Sequence, residues 1–481
     1  MKFVYLLCAA SLLQAGAVTR HKLAPGKIYA GVPHDYAVYV PDKYDAAKPT
    51  PFMVFLDGSG ALGNSQRVPT HFDELIAKSD LPPLIGIFVD PGVLPALSGD
   101  AQSRFHRILE YDSIDGRFAR FLEEELIAEV AKKYTLSKDP NDHAISGVST
   151  GAVGAFVAAW ERPDLFRRVL SFIGTFVAMR GADSFPAMIR RTEPKPIRVF
   201  LEAGKNDHIL PNHPFGTFYA GNWPINNQLM FEAMQFAGYD VKLEYGDNAH
   251  NMTHGSAILP DALRWLWRDY PQPIKARQPQ AMGDKGWDPR AQVYSVILPD
   301  KPWEPVAGTV PGIGAGNYHI EKKSIVLKDG GRKRVVYDGH GMTSPSALAL
   351  SPDHSLLIVA DAQSRFNWSF QILADGSLAN GEPFYRIDLA EADTRGSSGV
   401  TVDSIGQAYF VTALGIQLCE QNGRCGAIIA KPGRGTLSAI AFGGPDLGWL
   451  YAVEDNKLYR RQVKVRGLEA STRIKPPRPP L

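Results

Sequence analysis

His143 to Gly154, HAISGVSTGAVG, is the stretch whose reading decides the fold. The apolar run ending at Ile145 predicts a short buried strand, Gly147-Val148-Ser149-Thr150-Gly151 a tight turn, and Ala152 to Trp160 a helix. The pattern G-x-S-x-G between strand and helix is a nucleophile elbow. Its turn forces Ser149 into a strained backbone conformation, and a side chain two positions before or after would collide with it, so both positions are glycine. Ser149 then projects its hydroxyl over the strand ends with a helix N-terminus beneath it. A hydroxyl alone is a poor nucleophile, so this reading requires a base and an acid further along the chain.

Working outward, the neighbouring stretches repeat one theme. Tyr36–Pro41 and Pro51–Gly58 (PFMVFLDG) predict an edge strand and a buried one, Leu84–Gly92 (LIGIFVDPG) another buried strand, and Phe118–Tyr134 an amphipathic helix. Beyond the elbow, Val169–Gly174, Ile197–Gly204 and Val241–Gly246 are apolar runs that end in glycine. Helical patterns follow at Asn226–Ala237 and Ser256–Tyr270. Strands and helices alternating at these lengths imply a doubly wound, mostly parallel sheet covered on both faces. Ligands of such sheets sit outside the carboxyl ends of the strands, where these glycine-ended turns gather.

Two of those turns carry the missing partners. Lys205-Asn206-Asp207 follows one run and Asp247-Asn248-Ala249-His250 the next, which gives the order Ser, Asp, His. His250 is the expected base, taking the Ser149 proton, and Asp207 the acid that sets the imidazole tautomer. His254 is the rival base, otherwise a substrate contact or a helix-start residue; Asp247 is too close in sequence to His250 to approach its ring from behind. A tetrahedral oxyanion needs two preorganised N–H donors, for which Thr150 and Ser59 are the candidates. Arg107, Glu110, Tyr111 and Asp112 form a polar group facing either the site or solvent, and Trp223 either lines the pocket or packs it. The loop Asp57-Gly58-Ser59-Gly60 has no phosphate-loop lysine, which argues against nucleotide binding.

Composition bounds the rest. A chain of 481 residues suggests two or three domains, and 44% hydrophobic against 21% charged residues leaves ample core. A net charge of +2 implies no nucleic-acid partner. Lys2, the apolar run Phe3–Leu13 and the small residues Ala15-Gly16-Ala17 read as a secretory signal, too short for a stable membrane span. Cys8 lies inside the apolar run, which disfavours a lipid anchor there. Export into a secreted or periplasmic setting leaves Cys419 and Cys425 to close a small disulfide loop, or to stay as two buried thiols.

After Tyr270 the chain changes character. Pro271–Trp303 is rich in Pro, Gln, Lys and Gly and reads as a linker. Then Ser346–Asp353, Ser398–Asp403 and Ser438–Phe442 each precede a second apolar run, at Leu356–Ala360, Gln407–Thr412 and Trp449–Val453. A repeat of about 40 to 50 residues is the blade period of a propeller. The tail Lys475–Leu481 (KPPRPPL) is an extended, proline-rich end.

The motifs DYAVYVPDKYD, FLDG, IGIFVDPG, ISGVSTGAVGAF, AWERPDLF, FLEAGKNDH, GNWP, HNMTHG and LPDALRWLW together resemble the α/β-hydrolase esterases related to enterochelin esterase and esterase D, collinearly from about Ala17 to Tyr270. The resemblance implies a serine carboxylesterase acting on siderophore lactones, feruloyl or acetyl sugar esters, or small acyl esters. Thr150 stands where those relatives more often carry Met or Ser, and His208–Tyr219 looks like an insertion after the acid loop. From about Val306 to Val463 the chain resembles the gluconolactonase and senescence-marker-protein propellers, which hold a divalent cation with Glu, Asn and Asp. Ser346 and Ser398 stand at two of those positions, and neutral hydroxyls replace a carboxylate and an amide poorly around a hard cation. The region is also short for six blades.

The expected architecture is therefore a leader (1–17), an α/β-hydrolase domain (18–272), a linker (273–303), an all-β partial propeller (304–472) and a tail (473–481). The expected activity is that of a secreted serine esterase on a small-molecule or saccharide ester, needing no metal and no cofactor. A metal-dependent lactonase in the C-terminal region and an inactive binding module are the alternatives.

Overall fold

Phe52–Leu56, Ile85–Val89, Arg168–Phe172 and Arg198–Gly204 are buried at every position, as strands must be when helices cover both faces of a parallel sheet. The computed structural model describes residues 15–207, 221–276, 292–311, 315–391 and 393–479. They divide into two units, one of residues 1–187 and 194–286, the other of residues 188–193 and 287–481.

The first unit is built on strands β1 (Ala17–Leu23), β2 (His34–Val40), β3 (Phe52–Leu56), β4 (Ile85–Val89), β5 (His143–Val148), β6 (Arg168–Phe172), β7 (Arg198–Gly204) and β8 (Asp240–Gly246). They form one sheet in the order β1-β2-β4-β3-β5-β6-β7-β8. β2 pairs antiparallel with β1 and β4, and every other pair is parallel. Val54, Ile145, Val169, Val199 and Val241 stand in register across the five central and last strands. β1 escapes the sequence reading because most of its side chains are exposed, and what holds it is the backbone ladder to β2.

Four helices matter to the site: α1 (Val68–Ala77), α2 (Thr150–Glu161), α3 (Trp223–Ala237) and α4 (Thr253–Trp267). α2 buries every residue from Thr150 to Trp160, so it has no polar face and its apolar pattern is continuous. α3 starts where Asn222 accepts from the Ile225 N–H at 3.0 Å and stops at Gly238, whose φ of 82° a side chain would resist. The helix expected over Phe118–Tyr134 is wound unevenly, with a π-helical turn at Leu122–Ile127. Its buried residues Phe118, Leu122, Leu126 and Val130 recur every fourth position, a spacing that a wider turn follows better than 3.6 residues per turn.

The second unit has four antiparallel sheets arranged as a four-blade propeller. Its strands are β9 (Glu304–Pro305), β10 (Tyr318–Glu321), β11 (Ser324–Asp329), β12 (Arg332–Tyr337), β13 (Pro345–Leu350), β14 (Leu356–Asp361), β15 (Phe366–Ile372), β16 (Leu378–Arg386), β17 (Gly399–Val402), β18 (Ala408–Thr412), β19 (Gly415–Cys419), β20 (Cys425–Ile429), β21 (Leu437–Gly443), β22 (Trp449–Glu454) and β23 (Lys457–Gln462). The blades are β10–β12, β13–β16, β17–β20 and β21–β23, the last gaining β9 from the start of the region as its outer strand. That first-to-last pairing covers the outer edge of the last blade.

Two segments expected elsewhere belong to this unit. Within the predicted linker, Val293–Val296 is a short helix that buries Val293, Val296 and Ile297 in the core of the last two blades. Met188–Glu193, read as part of the hydrolase stretch, also lies here. The Glu193 N–H donates to Ile428 O at 2.9 Å, and its carboxylate receives Arg461 at 2.7 and 2.8 Å. The hydrophobic leader through residue 14 and the expected insertion at 208–219 lie outside the described residues.

Cys419 and Cys425 face each other across β19 and β20 and are joined in a disulfide. The loop they close is short, so the bond removes little unfolded-state entropy and stabilises modestly. Thiol titration of the unfolded chain lacking its leader, in which these are the only cysteines, is expected to find no free thiol. Two titrating thiols would show an open pair.

Candidate active site

Ser149 occupies the turn between β5 and α2 with φ 59° and ψ −121°, a conformation that L-residues avoid unless the surroundings over-determine it. Three backbone hydrogen bonds do so. The Ser149 N–H donates to Phe172 O at 2.9 Å, while its carbonyl accepts from Ala152 at 3.0 Å and Thr175 at 3.2 Å. The two glycines of the motif are not equivalent. A Cβ on Gly147 would stand 2.0 Å from the Gly151 carbonyl oxygen, against rigid backbone, whereas one on Gly151 would meet first the Asp57 carboxylate at 3.1 Å.

The loops after β7 and β8 bring the other two residues to Ser149. The Lys205 N–H donates to Gly246 O at 2.8 Å and that of Asn206 to Asn248 O at 3.2 Å, which clamps the two loops together. A Cβ on Gly204 would lie 2.2 Å from Asn248 O, so this close approach requires glycine. Asp207, fully buried, faces His250 Nδ1 at 2.9 and 3.0 Å, and His250 Nε2 lies 2.8 Å from Ser149 Oγ. A carboxylate only accepts, so the ring carries its proton on Nδ1 and leaves Nε2 to accept from Ser149.

His254, the rival base, is engaged elsewhere: its Nδ1 lies 3.0 Å from the buried Glu202. Burial pushes the Glu202 carboxyl above its ordinary range, against the lowering effect of its bond to His254. Trp223, at the first turn of α3, is buried with its ring edge-on to His250 at 5.8 Å between centroids. It packs the base.

The oxyanion donors need one correction. Thr150 is the first residue of α2, and its N–H has no acceptor among the described residues. Ser59 is not its counterpart, because the Ser59 N–H donates to Asp90 Oδ1 at 2.9 Å and its hydroxyl to the other oxygen of that carboxylate. The cause is Asp57, whose left-handed backbone (φ 52°) starts the helix Gly58–Leu62 early and turns Ser59 toward Asp90. The Gly58 N–H, one residue before, has no acceptor among the described residues. A Cβ there would strike Phe88 and Val89 backbone at 2.5 Å.

The polar group at 107–112 braces the site through Arg107 and turns inward at Glu110, Tyr111 and Asp112. Arg107 grips Asp57 with two hydrogen bonds, at 2.9 and 2.7 Å, and reaches Val148 O at 3.3 Å, tying the Asp57 turn to the residue before Ser149. Glu110 is buried, accepting from Gly92 N–H and facing His34 Nε2 at 3.0 Å, so it cannot meet a substrate. Tyr111 is buried too; its hydroxyl accepts from the Asp57 N–H at 3.3 Å. Asp112 is buried with neither carboxylate oxygen hydrogen-bonded among the described residues, and burial pushes it up to about 7 despite Arg107 and Arg180.

Sequence reasoning missed one residue altogether. Thr175, in the loop after β6, places Oγ1 3.0 Å from Ser149 Oγ and accepts from Trp223 Nε1–H at 3.2 Å. Ile173-Gly174-Thr175 is an ordinary strand end in sequence, with no motif to flag it.

In the propeller, the two hydroxyls standing at expected metal positions are spent on backbone. Ser346 donates to Ser397 O at 2.6 Å and Ser398 to Leu437 O at 3.0 Å, each linking its blade to the next. Among the described residues no group of His, Cys, Asp and Glu is placed to hold a metal ion, and no helix is long and apolar enough to cross a membrane.

Residues 31–240 match the model of the Esterase family, and residues 307–454 that of the SMP-30/Gluconolactonase/LRE-like region. The iron(III) enterobactin esterase of Dickeya dadantii is 25% identical over 205 residues, 40% of this chain and 42% of that protein. The chain therefore spans less than half the length of that curated relative. Among solved structures, a ferulic acid esterase has 17% identity and a TM-score of 0.39 over 53% of this chain and 98% of its own. The enterobactin esterase of Shigella flexneri has 18% identity and a TM-score of 0.40 over 52% and 59%.

Proposed function

We propose that this chain, which joins a segment of the Esterase family to one of the SMP-30/gluconolactonase/LRE-like region, hydrolyses carboxylic esters through an acyl-enzyme on Ser149. The observation that carries the proposal is the continuous hydrogen-bonded series Ser149 Oγ, His250 Nε2, His250 Nδ1, Asp207. In it Ser149 attacks the ester carbonyl while its proton passes to His250 Nε2, and Asp207 stabilises the imidazolium. His250 then gives that proton to the departing alkoxide. Water repeats the sequence in reverse, its proton going to His250 and on to Ser149 as the acid is released.

The oxyanion is received by the N–H groups of Thr150 and Gly58, two donors fixed before the reaction begins and without other acceptors among the described residues. Arg107 holds their spacing through Asp57 and Val148. The substrate class we propose is a small-molecule or saccharide ester, cyclic siderophore esters included, in keeping with the relative from Dickeya dadantii. We further propose that the chain is exported, on the strength of the leader pattern and the Cys419–Cys425 bond.

The reading is tested by an aryl phosphonofluoridate, which reacts with a base-activated hydroxyl at neutral pH. Peptide mapping is expected to place one adduct, on Ser149, in parallel with loss of ester turnover. Dialysis against a chelator is expected to leave turnover unchanged, because N–H donors and not a Lewis acid carry the developing charge. An adduct elsewhere, or activity lost to chelator and restored by calcium or zinc, overturns the proposal and favours a lactonase.

A further inference from the structure

Among the described residues, the hydrogen bonds that reach Ser149 can each be given a direction. Trp223 Nε1–H can only donate, and it donates to Thr175 Oγ1. Of the two groups that lie within hydrogen-bonding distance of Thr175 Oγ1 among the described residues, only Ser149 Oγ can accept, so the threonine proton points at Ser149. The Ser149 proton in turn is directed at His250 Nε2, and that of His250 Nδ1 at Asp207. The result is one series, Trp223 to Thr175 to Ser149 to His250 to Asp207, with each hydroxyl accepting one hydrogen bond and giving one.

Thr175 is held in that role from several sides. It is buried, and its N–H donates to Ser149 O at 3.2 Å. Two residues earlier, Ile173 has φ 42°, left-handed backbone that a β-branched residue adopts only under constraint. The constraint is Glu202: the Ile173 N–H lies 2.8 Å from its backbone carbonyl and 3.3 Å from its carboxylate, which His254 holds from the other side. The pair that removes His254 from contention as base thus braces the loop carrying Thr175.

We propose that Thr175 is a catalytic residue whose hydroxyl donates to Ser149 Oγ as that atom is expelled from the acyl-enzyme; the inference rests on the esterase reading above. In deacylation, water adds to the acyl carbon and its proton goes to His250. The tetrahedral species then collapses with cleavage of the C–Oγ bond, and Oγ takes the proton back from His250. Negative charge grows on Oγ during that cleavage, and a hydrogen bond to a charged oxygen is stronger than one to a neutral oxygen. The Thr175 proton itself is not transferred. In acylation the same hydrogen bond has opposing effects. It stabilises the charge that develops on Oγ as its proton leaves, but the free hydroxyl of the resting enzyme already accepts it, more strongly than the ester oxygen of the acyl-enzyme does, so the net gain is smaller than in deacylation.

The test is rapid-quench and steady-state kinetics on the full chain with p-nitrophenyl acetate, which separate acylation from deacylation. Thr175→Val, close in shape but without a hydroxyl, is expected to slow deacylation about 10- to 100-fold and acylation less than about 3-fold. Quenched samples then hold more acetyl-enzyme than wild type, and Thr175→Ser, which restores the donor, returns both steps to within about 3-fold of wild type. As a second route, Trp223→Phe removes the donor that fixes the threonine proton while keeping a ring against His250, and is expected to slow deacylation selectively by about 3-fold. Equal losses in both steps in either variant, or unchanged deacylation in Thr175→Val, overturn the proposal. Failure of the esterase reading shows separately, as a wild-type chain that takes neither acetyl nor phosphonyl label on Ser149.

Discussion

Ser149→Ala and His250→Ala are each expected to lower ester turnover by about four to six orders of magnitude, and the double variant by little more than either alone. The reason is that the two groups act on one proton. Without Oγ there is no nucleophile for His250 to activate, and without Nε2 the hydroxyl 2.8 Å away has no base. His254→Ala is expected to cost far less, because its Nδ1 faces Glu202 and its effect reaches Ser149 only through the Ile173–Thr175 loop. The measurement is kcat/KM on an activated ester, with circular dichroism to show that each variant is folded. A His254→Ala chain as inactive as Ser149→Ala, beside a mild His250→Ala, would exchange the roles of the two histidines.

Gly147→Ala is expected to be the most damaging single-methyl change in the first unit. The added Cβ would stand 2.0 Å from Gly151 O and 2.1 Å from Gly151 C, and neither atom belongs to a side chain that can swing aside. Relief requires opening the turn between β5 and α2, which breaks the bonds that hold Ser149 at φ 59°. Activity is expected to fall at least about 1,000-fold, with a loss of several kcal/mol in stability read from chemical denaturation. Gly151→Ala serves as the internal comparison. Its nearest contact is the Asp57 carboxylate at 3.1 Å, so it should displace the Arg107–Asp57 pair and cost activity with much less stability. Equal behaviour of the two variants would mean that the clash at Gly147 is absorbed elsewhere.

Local chemistry explains why so much of this site is legible without a structure. A G-x-S-x-G turn works only between a strand and a helix, so Gly147 to Gly151 reveals the elements on either side. Asp207 and His250 follow apolar runs ending in glycine, and a parallel sheet delivers all such turns to one end. The blade repeat is visible because Ser346 and Ser398 recur at the same step in successive blades, where each hydroxyl meets the next blade's backbone.

Other features depend on partners far away in the chain, which no local pattern can announce. Ser59 looks like an oxyanion donor until Asp90, 31 residues on, claims its N–H, while that of Gly58 has no acceptor among the described residues. Arg107, Glu110 and Tyr111 form a polar run suited to a binding surface. Only their contacts with Asp57, His34 and Gly92 turn two of them inward and make the first a strap. Met188–Glu193 reads as ordinary hydrolase chain, yet the Glu193 carboxylate finds Arg461 268 residues later. Thr175 has nothing in its own neighbourhood to distinguish it. By itself, the sequence determined the sheet, the elbow and the order in which Ser149, Asp207 and His250 are delivered to one end of it, because each is written in short-range sterics and periodicity. Only the tertiary structure decided which N–H groups remain free and which hydroxyl leans on Ser149, because a hydrogen bond is a property of two positions and is read only when both are in place.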